Sequence, residues 1–89
     1  MIEREVEIVN RLGLHARAAA KLVHLAGTFE CDVTLGQNGE EVDGKSILGI
    51  LLLAAGQGSR VVLRCDGSDE EEAIDALTGL IADRFGEGS

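Results

Sequence analysis

Polar and apolar residues alternate at the start of the chain. Ile2, Val6 and Ile8 share one face and Glu3, Glu5 and Glu7 the other, which over Ile2–Val9 is the two-residue period of a strand with one wet side. Asn10, Arg11 and Gly13 break it. From Ala16 to Ala26 the period lengthens. Ala16, Ala19, Ala20, Val23 and Ala26 recur at steps of three and four, Leu22 and Leu25 widen the stripe, and Gly27 follows. That pattern predicts an amphipathic helix stopped by glycine. Cys31, Val33 and Leu35 then alternate with Asp32 and Thr34 as a second strand. Gly36–Gly39 holds the Asn-Gly signature of a tight hairpin, with a short return strand over Glu40–Asp43. Ser46 is a favoured helix N-cap before the apolar run Ile47–Ala55, and Gly56 and Gly58 close that helix. Val61, Leu63 and Cys65 make a fourth strand, and the chain turns at Asp66–Asp69. Glu70, Glu71 and Glu72 load the first turn of a last helix, where the helix dipole favours acid. Its inner face is expected to carry Ile74, Leu77, Ile81 and Phe85, with fraying over Gly86–Ser89.

The order is βαββαβα. Strands that alternate wet and dry belong to an antiparallel sheet with one solvated face, so the fold expected is α+β: a four-stranded open-faced sandwich with three helices on one face. A length of 89 residues allows one domain. Such a chain buries only about 60–65% of its unfolded surface, so its core must be compact. Two Phe and no Trp or Tyr leave no aromatic platform for stacking bases.

A net charge of −8 would be repelled by nucleic acid and by anionic membranes, and would attract proteins with basic docking faces. Cys31 and Cys65 lie in apolar runs, far apart in sequence, which favours core packing over zinc or redox chemistry. The charged opening Met1–Glu7 is no signal peptide, and no run approaches the roughly 18 apolar residues of a membrane span. A cytoplasmic monomer that inserts in no membrane is expected.

Chemistry concentrates in Gly13-Leu14-His15-Ala16-Arg17. His15 stands where a helix begins, and the first N–H groups of a helix lack internal partners and favour an anion such as phosphate. The N–H groups of Ala16, Arg17 and Ala18 are the donors in reach, and the Arg17 guanidinium adds a fork matched to phosphate oxygens. Positive surroundings disfavour imidazolium and leave a ring nitrogen free to act as a nucleophile. No metal ligand set accompanies His15. A plain helix-capping histidine is the alternative that these residues alone leave open. His24, nine residues on, falls elsewhere on the helix surface and is expected to be solvated without chemistry.

The run Gly13-Leu14-His15-Ala16-Arg17-Ala18-Ala19, with Lys45-Ser46-Ile47-Leu48-Gly49 some thirty residues later, resembles the HPr phosphocarriers of the bacterial phosphoenolpyruvate-dependent phosphotransferase system. The resemblance covers nearly the whole chain. It implies that His15 takes phosphate on Nδ1 from enzyme I and passes it to an enzyme IIA domain with help from Arg17, in a sugar-type or nitrogen-type system. The protein would then be a carrier and not an enzyme, and would need no cofactor. It implies an apolar contact patch of Lys45, Ile47, Leu48 and Leu51. It also implies that Ser46 is a site for HPr kinase/phosphorylase, which suggests a second reading: a regulator acting through Ser46 and partner binding without phosphotransfer. Retention of both His15 and Arg17 favours the carrier. One departure stands out: the family usually has proline after the arginine and this chain has Ala18, which gives up a preset φ but restores an N–H donor.

Gly39–Ser46 also matches GxxxxGKS, a nucleotide-binding loop. Such a loop folds its backbone around anionic phosphates, yet this one would set Glu40, Glu41 and Asp43 beside them. The match is rejected.

Overall fold

The computed structural model describes residues 1–87. Its elements are β1 (Ile2–Glu7), α1 (Ala16–Ala26), β2 (Asp32–Gln37), β3 (Glu40–Asp43), α2 (Ile47–Leu53), β4 (Arg60–Asp66), α3 (Glu70–Ala82) and a 3₁₀ turn, Arg84–Gly86. The four strands form one antiparallel sheet in the order β1-β4-β2-β3. Inward positions Val6, Val33, Leu35, Val61, Leu63 and Cys65 are buried beneath Leu22 of α1, Ile50 and Leu53 of α2, and Ile74, Leu77 and Ile81 of α3. The outward positions of the sheet stay uncovered, as a one-sided sandwich requires.

Strand β1 stops two residues early, because Ile8 exchanges its N–H and C=O with the turn at Ser59 and Gly58. Strand β2 starts at Asp32, since the N–H groups of Glu30 and Cys31 are taken by the Asp69 carboxylate at 2.8 and 2.9 Å. The hairpin turns on Asn38 and Gly39, both at positive φ (52° and 84°), as a tight two-residue connection demands. The buried face of α1 is rotated from the expected stripe. Ala18, Ala19, Leu22 and Ala26 are buried, while Ala16 and Ala20 face solvent. Both cysteines are buried, and burial first, then the Asp69 carboxylate, pushes the Cys31 thiol up to about 12.

Helix α2 ends at Leu53, before the glycines. Ala54 takes the left-handed conformation (φ 54°, ψ 35°) that glycine usually supplies at a helix end. Ala54 is exposed, so Ala54→Gly should stabilise the fold by up to about 1 kcal/mol, read as a higher urea midpoint at unchanged m.

Asp69 should make the fold sensitive to acid. The N–H of Glu30, and with it that of Cys31, holds its carboxyl below the ordinary value of 3.8. A depressed folded pKa stabilises above the unfolded value, and the contribution disappears as pH falls through the folded one. The destabilisation caused by Asp69→Asn should therefore be greatest at neutral pH and vanish in strong acid, measured by urea unfolding at both.

Phe85 is not on the last helix. Helix α3 ends at Ala82, and Arg84 and Phe85 both adopt positive φ (55° and 54°), which drops the Phe85 ring into the core with 0% exposure. Of the four residues expected to fray, Gly86 and Glu87 are among the described ones. The N–H groups of Gly86 and Glu87 bond Asp83 and Arg84 at 2.9 and 3.0 Å, and Glu87 is half-buried. Gly88 and Ser89 lie outside the described residues.

Candidate phosphoryl-transfer site

The site is built on a turn between β1 and α1. The Gly13 N–H bonds the Asn10 carbonyl (3.2 Å) and the Leu14 N–H bonds the Ala55 carbonyl (2.9 Å), which clamps the turn to the end of α2. Gly13 has φ +65°, and a Cβ there would stand 2.7 Å from the Ala55 oxygen. Only glycine satisfies both. Gly13→Ala should cost about 2 kcal/mol in strain and overlap, read by urea unfolding.

His15 is the N-cap of α1 (φ −74°, ψ 178°), and its Nδ1 accepts the Arg17 N–H at 3.3 Å. The other ring nitrogen, Nε2, lies 2.5 Å from the Glu87 carboxylate. The second Glu87 oxygen accepts from Asn10 Nδ2 at 3.0 Å, and the same Nδ2 reaches the Gly13 carbonyl at 2.8 Å. Asn10 is completely buried. An ionised carboxylate only accepts, so the proton belongs on Nε2 and the lone pair on Nδ1. That lone pair faces the start of α1, where the N–H groups of Ala16, Arg17 and Ala18 precede the first bond of the helical ladder, from Ala19 N–H to the His15 carbonyl.

Burial pushes the Glu87 carboxyl upward, but hydrogen bonds from Asn10 and His15, with the charge of Lys21, outweigh it and hold it below its ordinary value. The surroundings of His15 are therefore not purely positive, as the sequence suggests, because a carboxylate grips the ring from behind. Ahead of it the field is basic. Helix α1 carries Arg17, Lys21 and His24 and no acid. Arg17 is exposed, and among the described residues its guanidinium has no hydrogen-bond or ion-pair partner. Lys21 Nζ is tied to the Phe85 carbonyl at 2.6 Å, and His24 is exposed in the last turn.

The chain matches, over residues 2–83, a family model described as the PTS HPr component phosphorylation site. This chain belongs to the HPr family. It is 59% identical over 88 residues to the phosphocarrier protein HPr of Cupriavidus necator, covering 99% of each. It is 42% identical over 88 residues to the phosphocarrier protein NPr of Shewanella violacea, covering 99% of this chain and 97% of the other. The structure of an HPr from Thermoanaerobacter tengcongensis superposes with a TM-score of 0.95 at 46% identity, covering 98% of both.

The second HPr motif opens α2. Ser46 Oγ accepts the Gly49 N–H at 3.1 Å, the capping bond expected of it. Behind it Ile47, Leu48 and Leu51 are exposed at 45%, 67% and 37%, because a seven-residue helix spends Ile50 and Leu53 on the core. Leu52 at 70% and Leu12 at 65% are further exposed apolar side chains that the motif does not include. Lys45 differs from the others. Its Nζ turns back to the Phe29 carbonyl at 2.8 Å.

The nucleotide-loop match dissolves in the structure. Glu40–Asp43 is a strand, and the N–H groups of Gly44, Lys45 and Ser46 are spent on Val33 and Asp43. Among the described residues no helix is long and apolar enough to cross a membrane, and no cluster of three metal-ligating side chains occurs.

Two site residues escaped the sequence reading. Asn10 reads there as a strand breaker and Glu87 as tail. Nothing local marks either, since their meeting depends on the left-handed pair Arg84–Phe85 folding the terminus back across the turn.

Proposed function

We propose that this chain is a phosphoryl carrier: His15 takes phosphate on Nδ1 from enzyme I and gives it to enzyme IIA-type acceptors. What carries the reading is a His15 ring with Nε2 pinned by Glu87 and the Nδ1 lone pair turned to the first turn of α1. The lone pair attacks phosphorus as the donor's bond to phosphorus breaks, and the new P–N bond leaves the transferred oxygens facing free N–H groups and Arg17. As phosphoryl transfer is largely positioning and charge stabilisation, this set suffices without metal or cofactor. The N–H groups of Ala16 and Ala18 and the freed N–H of Arg17 bind the oxygens, and the guanidinium neutralises their charge. Onward transfer reverses the step. The chain turns over no substrate of its own, and the reading places it in the cytoplasm as a monomer.

Docking falls to Ile47, Leu48 and Leu51, joined by Leu12 and Leu52, beside the basic face of α1. Acidic partner faces suit that side of the molecule, in contrast to the overall charge. Lys45 contributes only if it leaves Phe29. Ser46, at the rim of the same surface, is the site at which a kinase of the HPr kinase/phosphorylase type would act. Phosphate there is tolerated by the helix N-terminus and changes the docking charge. A regulator without phosphotransfer would have no use for the His15–Glu87 pair. The relatives include both HPr and NPr proteins, so sugar-type and nitrogen-type acceptors both fit.

Incubation with phosphoenolpyruvate and enzyme I should place one acid-labile, base-stable phosphate on each chain. An enzyme I preparation active on a known HPr that leaves this chain unlabelled would overturn the assignment.

A further inference from the structure

Strand β1 is an outer strand of the sheet. Ile8 turns its N–H and C=O toward the β4 side, where they meet Ser59 and Gly58 at 2.8 and 2.7 Å. The two-residue alternation of an antiparallel ladder then turns the backbone groups of Glu3, Glu5 and Glu7 to the free edge. The side chains of these three residues stand on the sheet's bare face. Below the edge, between β1 and α3, runs a groove of about 280 Å³ lined by Val6, Glu7, Val9, Thr78, Ile81 and Ala82. The Thr78 hydroxyl there is shielded from solvent and has no hydrogen-bond partner among the described residues. The Arg4–Asp75 ion pair (3.2 Å) straps β1 to α3 nearer the N-terminus, on the same inner side.

We propose that this edge is a docking site for an extended segment of a partner protein in which basic residues alternate with small apolar ones, added to the sheet as a fifth strand. Each feature of the edge specifies part of that occupant. The outward backbone groups of β1 supply the main-chain ladder of strand addition. Successive side chains of an added strand point to opposite faces, so one set enters the groove over Val6, Val9 and Ile81 while the other lies beside the glutamate row. The groove calls for apolar groups of modest size. Along β1 the bare face calls for cations, because Glu3, Glu5 and Glu7 outnumber the two arginines of β4 that pair with them, Arg60 and Arg64. A second copy of this chain is a poor occupant. Two β1 edges side by side would set glutamate row against glutamate row, and like charges across a ladder are destabilising. The site stands apart from His15 and does not depend on the carrier reading.

The test is a titration of the intact ¹³C,¹⁵N-labelled protein with a heptapeptide alternating lysine and valine. Its control is the same peptide N-methylated at alternate residues to remove its ladder donors. Binding should shift the amides of β1 and the methyl groups of Val6 and Ile81, and slow hydrogen exchange at Glu3, Glu5 and Glu7. The N-methylated peptide should not bind. The triple variant Glu3→Gln, Glu5→Gln, Glu7→Gln, altered only on the surface, should bind about tenfold more weakly, the sum of three exposed ion pairs. His15→Ala should bind unchanged. Equal binding of the N-methylated peptide, shifts centred on Glu70–Glu72 of α3, self-association of the protein through β1, or no binding would each overturn the proposal.

Discussion

His15→Ala should take up no phosphate from phosphoenolpyruvate and enzyme I while remaining folded. The cap it removes is weak: a single 3.3 Å bond from the Arg17 N–H, while the first rung of the helical ladder, from Ala19 N–H to the residue 15 carbonyl, is made by the backbone and survives. The Glu87 carboxylate loses the ring but keeps Asn10. Losing a cap costs about 1 kcal/mol. Loss of labelling therefore reports chemistry and not unfolding, which circular dichroism on the same sample verifies. Arg17→Ala should be intermediate. Its backbone N–H remains, so only the guanidinium is lost, and removal of one charge-stabilising donor slows transfer by roughly 100-fold. Stopped-flow or quench measurements of transfer from enzyme I give the rate. A His15→Ala protein still labelled to the same extent would move the acceptor elsewhere.

Phe85→Ala should cost about 4 kcal/mol, the usual toll for emptying a fully buried aromatic position. Its ring has 0% exposure and sits among the largest buried side chains. The backbone that delivers it is itself strained, with Arg84 and Phe85 both left-handed, so the burial of the ring is what holds the turn. The consequence reaches the site. Lys21 is bonded to the Phe85 carbonyl and Glu87 follows two residues later, so releasing the ring also releases the carboxylate from His15. Urea unfolding should show the stability loss. ¹⁵N shifts of the His15 ring should show the Nε2 proton no longer held. Unchanged stability would mean that the terminus contributes nothing to the core.

Much of this architecture was legible in the residues. Alternation in Ile2–Ile8, the stripe of alanines and leucines after His15, and the Asn-Gly turn are local signals, and local signals fix local structure. The helix start at His15 and the Ser46 cap were legible for the same reason. What escaped depends on distant partners. The end of β1 was set by Ser59 and Gly58, and the start of β2 by Asp69. Ala54 assumed the left-handed position for which Gly56 looked the natural choice, because the Ala55 carbonyl must meet Leu14. Phe85 continued the spacing of α3 in sequence while leaving the helix in space. Asn10 and Glu87, 77 positions apart, carry no mark of their joint contact with the His15 turn.

The central claim is that Glu87 occupies one ring nitrogen of His15 and thereby reserves the other for phosphate. ¹⁵N NMR of the phosphorylated protein, labelled in the imidazole, observes this directly. The account predicts phosphorus coupled to Nδ1, with Nε2 still bearing its proton. Phosphorus on Nε2 would contradict it.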